Sequence, residues 1–322
     1  MQTPPPPPPP PNRPPKLEAG SRVALVAPAG PLRGDAELAT AVANARALGL
    51  VPEPGPHCTR RHGYLAGSDD ERLADLQHAI ADPDIRAVWC LRGGYGTTRI
   101  LDRVDFSPLR RNPKIIVGFS DITAFLLAAQ AETGLVVFHG PVARRPLAPF
   151  SRRSLERAIF SPDPAGLLEL PSPPAPGSAE SIATLREGTA EGPLFGGNLS
   201  LLHCLVGTRW FPSLDGAILF LEDVNEKLYT VDRMLAHLRS IGALDRLAGV
   251  AIGRFTEFAV GPDDGSLGLD EVLDTYLKPL GVPVAAGFPV GHIAEQWTLP
   301  IGVRARLDAG AGTLTVLEAA VR

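Results

Sequence analysis

Between residues 21 and 140, short apolar runs alternate with stretches of helical spacing, and this alternation constrains the fold more than any other feature of the chain. The run SRVALVAPAG is apolar and ends in Pro28 and Gly30, the mark of a buried strand that breaks into a loop. DAELATAVANARAL (35–48) has helical spacing, with Gly49 placed as a C-cap. A helix over Asp69–Ala81, strands at Ala87–Leu91 and Lys114–Val117, a helix over Asp121–Glu132 and a strand at Leu135–Phe138 continue the pattern. Strands that alternate with helices pair in parallel and form a sheet covered on both faces. Ligands then bind at the carboxyl ends of the strands.

The second half is more mixed. Strands are expected at Ala217–Leu221, Val250–Phe255, Arg304–Leu307 and Thr313–Leu317, and helices at Val231–Ile241 and Leu269–Leu277. A Pro-, Ser- and Gly-rich stretch, ELPSPPAPGSAE (169–180), lies near the middle and reads as a linker. Ten of the 34 prolines fall in the first 15 residues, a composition that favours solvated polyproline II. The expected organisation is a disordered tail (1–16), an amino-terminal lobe (17–168), a linker (169–188) and a carboxyl-terminal lobe (189–322). A cleft between lobes is the expected place for a site.

Composition excludes several classes. With 31 Lys+Arg against 35 Asp+Glu, the net charge of −4 offers no broad basic surface to nucleic acid. No apolar run approaches the ~20 residues that cross a bilayer, and MQTPPPPPPPPNRPPK has no apolar core of a secretory signal. Cys58, Cys90 and Cys204 form no CxxC pair and are odd in number, against both a disulfide framework and a zinc site. The expectation is a soluble cytoplasmic protein with no metal or other cofactor, and with no nucleic acid or membrane partner.

Three segments could carry chemistry. Gly118-Phe119-Ser120-Asp121-Ile122 joins the strand KIIV to the helix TAFLLAA, so Ser120 stands at the carboxyl end of a parallel strand. This is the setting of a nucleophile elbow, although Ile122 replaces the second glycine of G-x-S-x-G. A serine ahead of a helix is equally a favoured N-cap. The segment LRGGYGTT (91–98) lets backbone approach a ligand closely and offers free N–H groups, which suits a phosphate site, an oxyanion hole or a plain turn. Glu222 and Asp223 end the strand ILFL, and either could partner a histidine. Among the seven histidines, His139 and His292 sit on strand-end or loop positions that suit a site, and spacing does not choose between them. Cys90, inside the strand AVWCL, reads as a small buried residue.

Taken in order, VALVAPAGP, YLAGSDDERLADL, VWCLRGGYGTTRIL, IIVGFSDIT, FHGP, PLFGGNLSLL, FLEDVNEKLYTVDRML and GFPVGH resemble the LD-carboxypeptidase family of serine peptidases, from about residue 20 to the carboxyl terminus. The resemblance implies a Rossmann- or flavodoxin-like amino-terminal lobe with the serine, and a β-rich carboxyl-terminal α/β lobe with its partners. It implies a triad of Ser120, Glu222 and His292, and an oxyanion hole made by the amides of Gly94 and Asp121. Arg92 is a candidate to grip a terminal carboxylate. Asn198 could orient the peptide or cap a helix. The implied activity is removal of terminal D-Ala from murein tetrapeptides by a homodimer. A sister branch, the microcin-resistance proteins, hydrolyses peptidyl-nucleotide antibiotics, and a non-catalytic anion-binding module is the contrasting reading. The proline tail has no counterpart in the family pattern.

Overall fold

The computed structural model describes residues 11–172, 182–257 and 265–322. Its elements run β1 (Arg22–Val26), α1 (Asp35–Ala47), β2 (Val51–Pro54), α2 (Asp69–Ala81), β3 (Ile85–Cys90), α3 (Ser107–Arg111), β4 (Ile115–Gly118), α4 (Thr123–Thr133), β5 (Val137–His139) and α5 (Pro149–Phe160). There follow β6 (Gly166–Leu167), β7 (Ala183–Arg186), β8 (Thr189–Asn198), α6 (Leu199–Cys204), β9 (Ile218–Val224), α7 (Leu228–Ser240) and β10 (Gly249–Thr256). The last are α8 (Leu269–Leu277), β11 (Val284–Ala286), β12 (Leu299–Ile301), β13 (Arg304–Asp308) and β14 (Thr313–Val316).

The fold is a two-domain α/β structure. One sheet has the order β12-β5-β4-β3-β1-β2, and its strands β1 to β5 pair in parallel. The order 2-1-3-4-5 is the flavodoxin-like doubly wound arrangement, whose switch point lies between β1 and β3. The near-continuous burial of β1, β3 and β4 is what a sheet covered on both faces demands. Helix α2 opens on a capping box in which Ser68 and Glu71 satisfy each other's backbone amides. The second sheet, β6-β14-β13-β8-β9-β10-β11-β7, has a parallel centre (β8 to β11) and antiparallel flanks. Helix α4 packs on β4 and β5 on one side and on α6 and β8 on the other. It is therefore buried from Thr123 to Ala129, with no polar face. No helix among the described residues is long and apolar enough to cross a membrane.

The chain departs from the expected organisation at its seams. Residues 11–16, placed in a disordered tail by composition, are part of the fold. The Asn12 N–H donates to Gly134 O (2.9 Å), and the Asn12 carbonyl accepts from Val136 N–H (3.0 Å). Arg13 pairs with Glu318 at 3.0 Å, and Lys16 and Pro14 exchange backbone bonds with Arg322. An extended backbone leaves its polar groups free for such pairing. Residues 1–10 of that tail lie outside the described residues, as do 173–181 of the expected linker. Ala183–Arg186 of the linker is strand β7, antiparallel to β11. Two strands also cross the expected boundary. β6 joins the second sheet through β14, and β12 returns to the first sheet, antiparallel to β5.

Candidate active site

Three strand ends of the first sheet meet around Ser120. β4 stops at Gly118, Phe119 is extended, and Ser120 takes φ 65°, one of three non-glycine residues with positive φ among the described residues. Holding a serine there costs on the order of 1–3 kcal/mol and persists only where packing over-determines it. Packing does so here. A Cβ at Gly118 would lie 2.7 Å from Ile122 Cγ2, and one at Gly93 would lie 2.8 Å from Ser120 Cβ. Ser120 makes no capping bond to the helix that follows, and its Oγ instead lies 3.0 Å from His292 Nε2.

The glycine loop after β3 lies over this turn. The Gly30 N–H donates to Gly93 O (3.0 Å). A trans peptide points its C=O and N–H in opposite directions, so the Gly94 N–H faces away from Gly30. Among the described residues neither the Gly94 nor the Asp121 N–H has a protein acceptor. The Asp121 carboxylate turns inward and accepts from Thr97 N–H at 2.9 Å. Burial lifts its pKa, and hydrogen bonds from Thr97 and Gly96 pull it back. Arg72, fully buried, donates to the carbonyls of Pro28 and Gly96 and to Asp69. Asp121 thereby ties the glycine loop to the serine turn, and Arg72 ties the same loop to the segment after β1.

The other half of the site comes from the second sheet. Glu222 and Asp223 are consecutive on β9, so their side chains leave on opposite faces. Glu222 is 0 % exposed, and its Oε2 lies 2.8 Å from His292 Nδ1. Burial raises its pKa, while the hydrogen bond and charge of His292 oppose the rise. Asp223 is occupied elsewhere, accepting from Asn198 Nδ2 (2.8 Å), Ser200 N–H (2.9 Å) and Ser200 Oγ (2.8 Å). Asn198 has the second of the two roles considered for it. Buried and N-capping α6 through Leu201 N–H (3.2 Å), it is not free to orient a peptide. Gly291, at φ 122°, lets the carboxylate approach, since a Cβ there would lie 2.9 Å from both Glu222 Cβ and Oε2.

His139 does not reach the serine. It is fully buried between Phe119 (5.8 Å) and Phe220 (5.3 Å), with no hydrogen bond to either ring nitrogen. Burial, with the His292 charge adding, pushes its pKa down to about 3. Burial likewise pushes the Cys90 thiol up out of the reactive range.

The resulting cleft, about 840 Å³, has Ser120, His292 and Gly94 in its lining, with Arg33, Arg92, Arg144 and Arg145 along one wall. Arg92 donates to Pro31 O and is half-buried. In chemical terms, a hydroxyl, an imidazole and a buried carboxylate form one hydrogen-bonded line, beside two unpaired amides.

Residues 23–140 match the profile of the LD-carboxypeptidase N-terminal domain, and residues 191–307 match that of the C-terminal domain. The chain belongs to the LD-carboxypeptidase family. It is a hydrolase. It is 38% identical to the probable murein peptide carboxypeptidase of Bacillus subtilis, covering 96% of this chain and 95% of that one. The solved muramoyltetrapeptide carboxypeptidase from Oxalobacter formigenes is 31% identical and superposes with a TM-score of 0.77 over 92% of this chain and 97% of that one. The microcin C7 self-immunity protein MccF of Escherichia coli is 29% identical over 79% of this chain and 80% of that one. A wild-type apo structure of MccF superposes with a TM-score of 0.87 at 25% identity, covering 97% of this chain and 100% of that one.

This family member holds its histidine loop by contacts that sequence reasoning missed. Ser151 on α5, 1% exposed, donates to Ala294 O (3.2 Å) and accepts from Gln296 N–H (2.8 Å). Ser154, one turn on, accepts from Thr298 N–H (2.9 Å), and Trp297 N–H closes the loop on Pro289 O (2.7 Å). No local signal marks these serines, because their partners lie more than 140 residues away.

Proposed function

We propose that the chain is a serine LD-carboxypeptidase that removes terminal D-Ala from murein tetrapeptides, with Ser120 as nucleophile, His292 as base and Glu222 as the group that orients it. One observation carries this reading: His292 bridges Ser120 Oγ at 3.0 Å and Glu222 Oε2 at 2.8 Å, from a serine held at φ 65°. A serine hydroxyl is a weak nucleophile until a neighbouring base takes its proton. His292 Nε2 takes it as Oγ attacks the scissile carbonyl, and Glu222 fixes the Nδ1–H tautomer and stabilises the imidazolium. The amides of Gly94 and Asp121 receive the oxyanion; one such donor is typically worth ~10²–10³ in rate. The imidazolium then protonates the leaving amine of D-Ala, leaving an acyl-enzyme. A water deprotonated by His292 attacks that ester, and the proton returns to Ser120. Arg92 offers the free carboxylate a charged partner.

The reading includes a homodimer acting in the cytoplasm on peptides recovered from the wall. Likeness to MccF supports a second reading, hydrolysis of peptidyl nucleotides, on the same machinery. The test is product analysis with purified protein, a tetrapeptide ending in D-Ala, its L-Ala counterpart and a peptidyl nucleotide. Release of D-Ala alone supports the first reading, and turnover of the nucleotide alone replaces it with the second. Failure to cleave any of them, with Ser120 unlabelled by a fluorophosphonate, leaves the anion-binding module standing.

A further inference from the structure

Helix α1 holds two arginine-bearing loops beside the cleft. At its first turn, Glu37 accepts from Arg33 N–H through Oε2 (2.8 Å) and from the Arg144 guanidinium through Oε1. Two turns on, Asn44 Nδ2 donates to the carbonyls of Ala143 (2.8 Å) and Arg145 (2.7 Å). The segment before Arg33 is gripped a second time, by Arg92 at Pro31 O and by Arg61 at Leu32 O (3.1 Å). The backbones of 31–33 and 143–145 are thus pinned from several sides, while two of the side chains they carry are left over. Arg144 has Glu37 as its counter-ion. Arg33 and Arg145 line the cleft, and among the described residues neither guanidinium has a carboxylate within ion-pair distance. The acid on the cleft's other lip, Glu257, pairs with neither of them.

Like charges gathered along one cleft repel one another, and an exposed arginine anchored only by its backbone gains nothing by facing its neighbours. The arrangement becomes favourable when an anion enters, because a walled cleft of one sign focuses the field and a guanidinium grips oxyanions with two parallel hydrogen bonds. Arg92 is committed in part to Pro31 and suits a single carboxylate. We infer that Arg33 and Arg145 form a second anion subsite, which reads a further carboxylate or phosphate of the substrate besides the terminal carboxylate. This rests on the peptidase reading and narrows it. The preferred substrate carries at least two anionic groups, and the hydrolase discriminates against the same molecule with one of them neutralised.

The test uses full-length protein and two tetrapeptides ending in D-Ala that differ only in one internal group, a free carboxylate or its carboxamide. The parent should prefer the free acid by roughly ten- to a hundred-fold in kcat/KM, the scale of a charge-assisted hydrogen bond. In Arg33→Gln/Arg145→Gln that ratio should fall to about two or less, with most of the change in KM. Because the readout is a ratio within one protein, a general loss of activity does not imitate it. If the double variant no longer labels with a fluorophosphonate, the two single variants replace it, and each should lose part of the ratio. A parent indifferent to the internal carboxylate, or a preference that survives in the variants, overturns the subsite. If the parent cleaves neither peptide, the peptidase reading fails by itself. The subsite is then judged by calorimetry on Ser120→Ala, with the two peptides and a nucleoside monophosphate as ligands. Selective binding of either anion that disappears with both arginines upholds it and names the source, whereas equal or absent binding overturns it.

Discussion

The serine turn and the histidine loop both stand at strand ends, yet they are held by different means. The serine turn is fixed by exclusion: Gly93 and Gly118 leave no room for a Cβ, and Ser120 is pressed into a left-handed conformation between them. The histidine loop is fixed by reach. Ser151 and Ser154 come across from α5, and Trp297 buries itself beneath the loop. Steric exclusion resists any displacement, whereas a few hydrogen bonds give way one at a time. In the proposed triad, Ser120 should therefore be the rigid partner and His292 the adjustable one.

The largest effect that can break this picture is at Ser120 itself. Ser120→Ala should lower kcat by roughly 10⁴- to 10⁶-fold, and Ser120→Gly should be equally inactive yet melt at or above the parent, because glycine adopts φ 65° without strain. A glycine variant that melts below the alanine one would show that the turn stores no strain. Next comes Gly93→Ala, whose methyl would meet Ser120 Cβ at 2.8 Å. A loss of about 10²–10³ in kcat is expected if the proposed oxyanion donors are displaced, and near-normal turnover would mean that exclusion does not set the geometry. Ser151→Ala probes the other partner. It leaves Ala294 O and Gln296 N–H unpaired in a buried place, so stability should drop by about 1–3 kcal/mol. The turnover loss should be no more than about tenfold, smaller than at Gly93. A larger loss at Ser151 than at Gly93 would reverse the comparison.

The last effect is on stability against pH, and it vanishes above pH 6.5. His139 is held neutral down to about pH 3, whereas an unfolded histidine titrates near 6.5. Between those values the unfolded chain binds a proton that the native one does not, so stability is complete above pH 6.5 and falls as the pH drops towards 3. His139→Phe removes that proton uptake. Its melting temperature relative to the parent should rise steadily from pH 7 to pH 4, and a constant difference would show that His139 is not the group responsible.

Much of the first sheet was legible because its strands are short apolar runs between helices of clear period, and α8 falls on its expected residues. What escaped was hidden by proline and glycine. β2 carries Pro52 and Pro54, and β12 carries Pro300; both are edge strands, where a missing N–H is tolerated. In β8, Gly196 and Gly197 read as breakers. They are required because a Cβ would meet Phe220 O at 1.8 Å and Thr123 Cγ2 at 2.7 Å. At the site, residue types alone left His139 beside His292 and Asp223 beside Glu222, and only the family resemblance preferred one of each. What separates them is burial and the occupant of each hydrogen bond, neither of which is written locally.

β12 has one more consequence. The first sheet closes only when Leu299–Ile301 pairs with Val137–His139. During synthesis, at roughly 5–20 residues per second, β5 therefore waits on the order of ten to thirty seconds for its neighbour. Through that interval its edge stays open to any strand that arrives first, so crowding by sister chains on a polysome would be the protein's most hazardous moment.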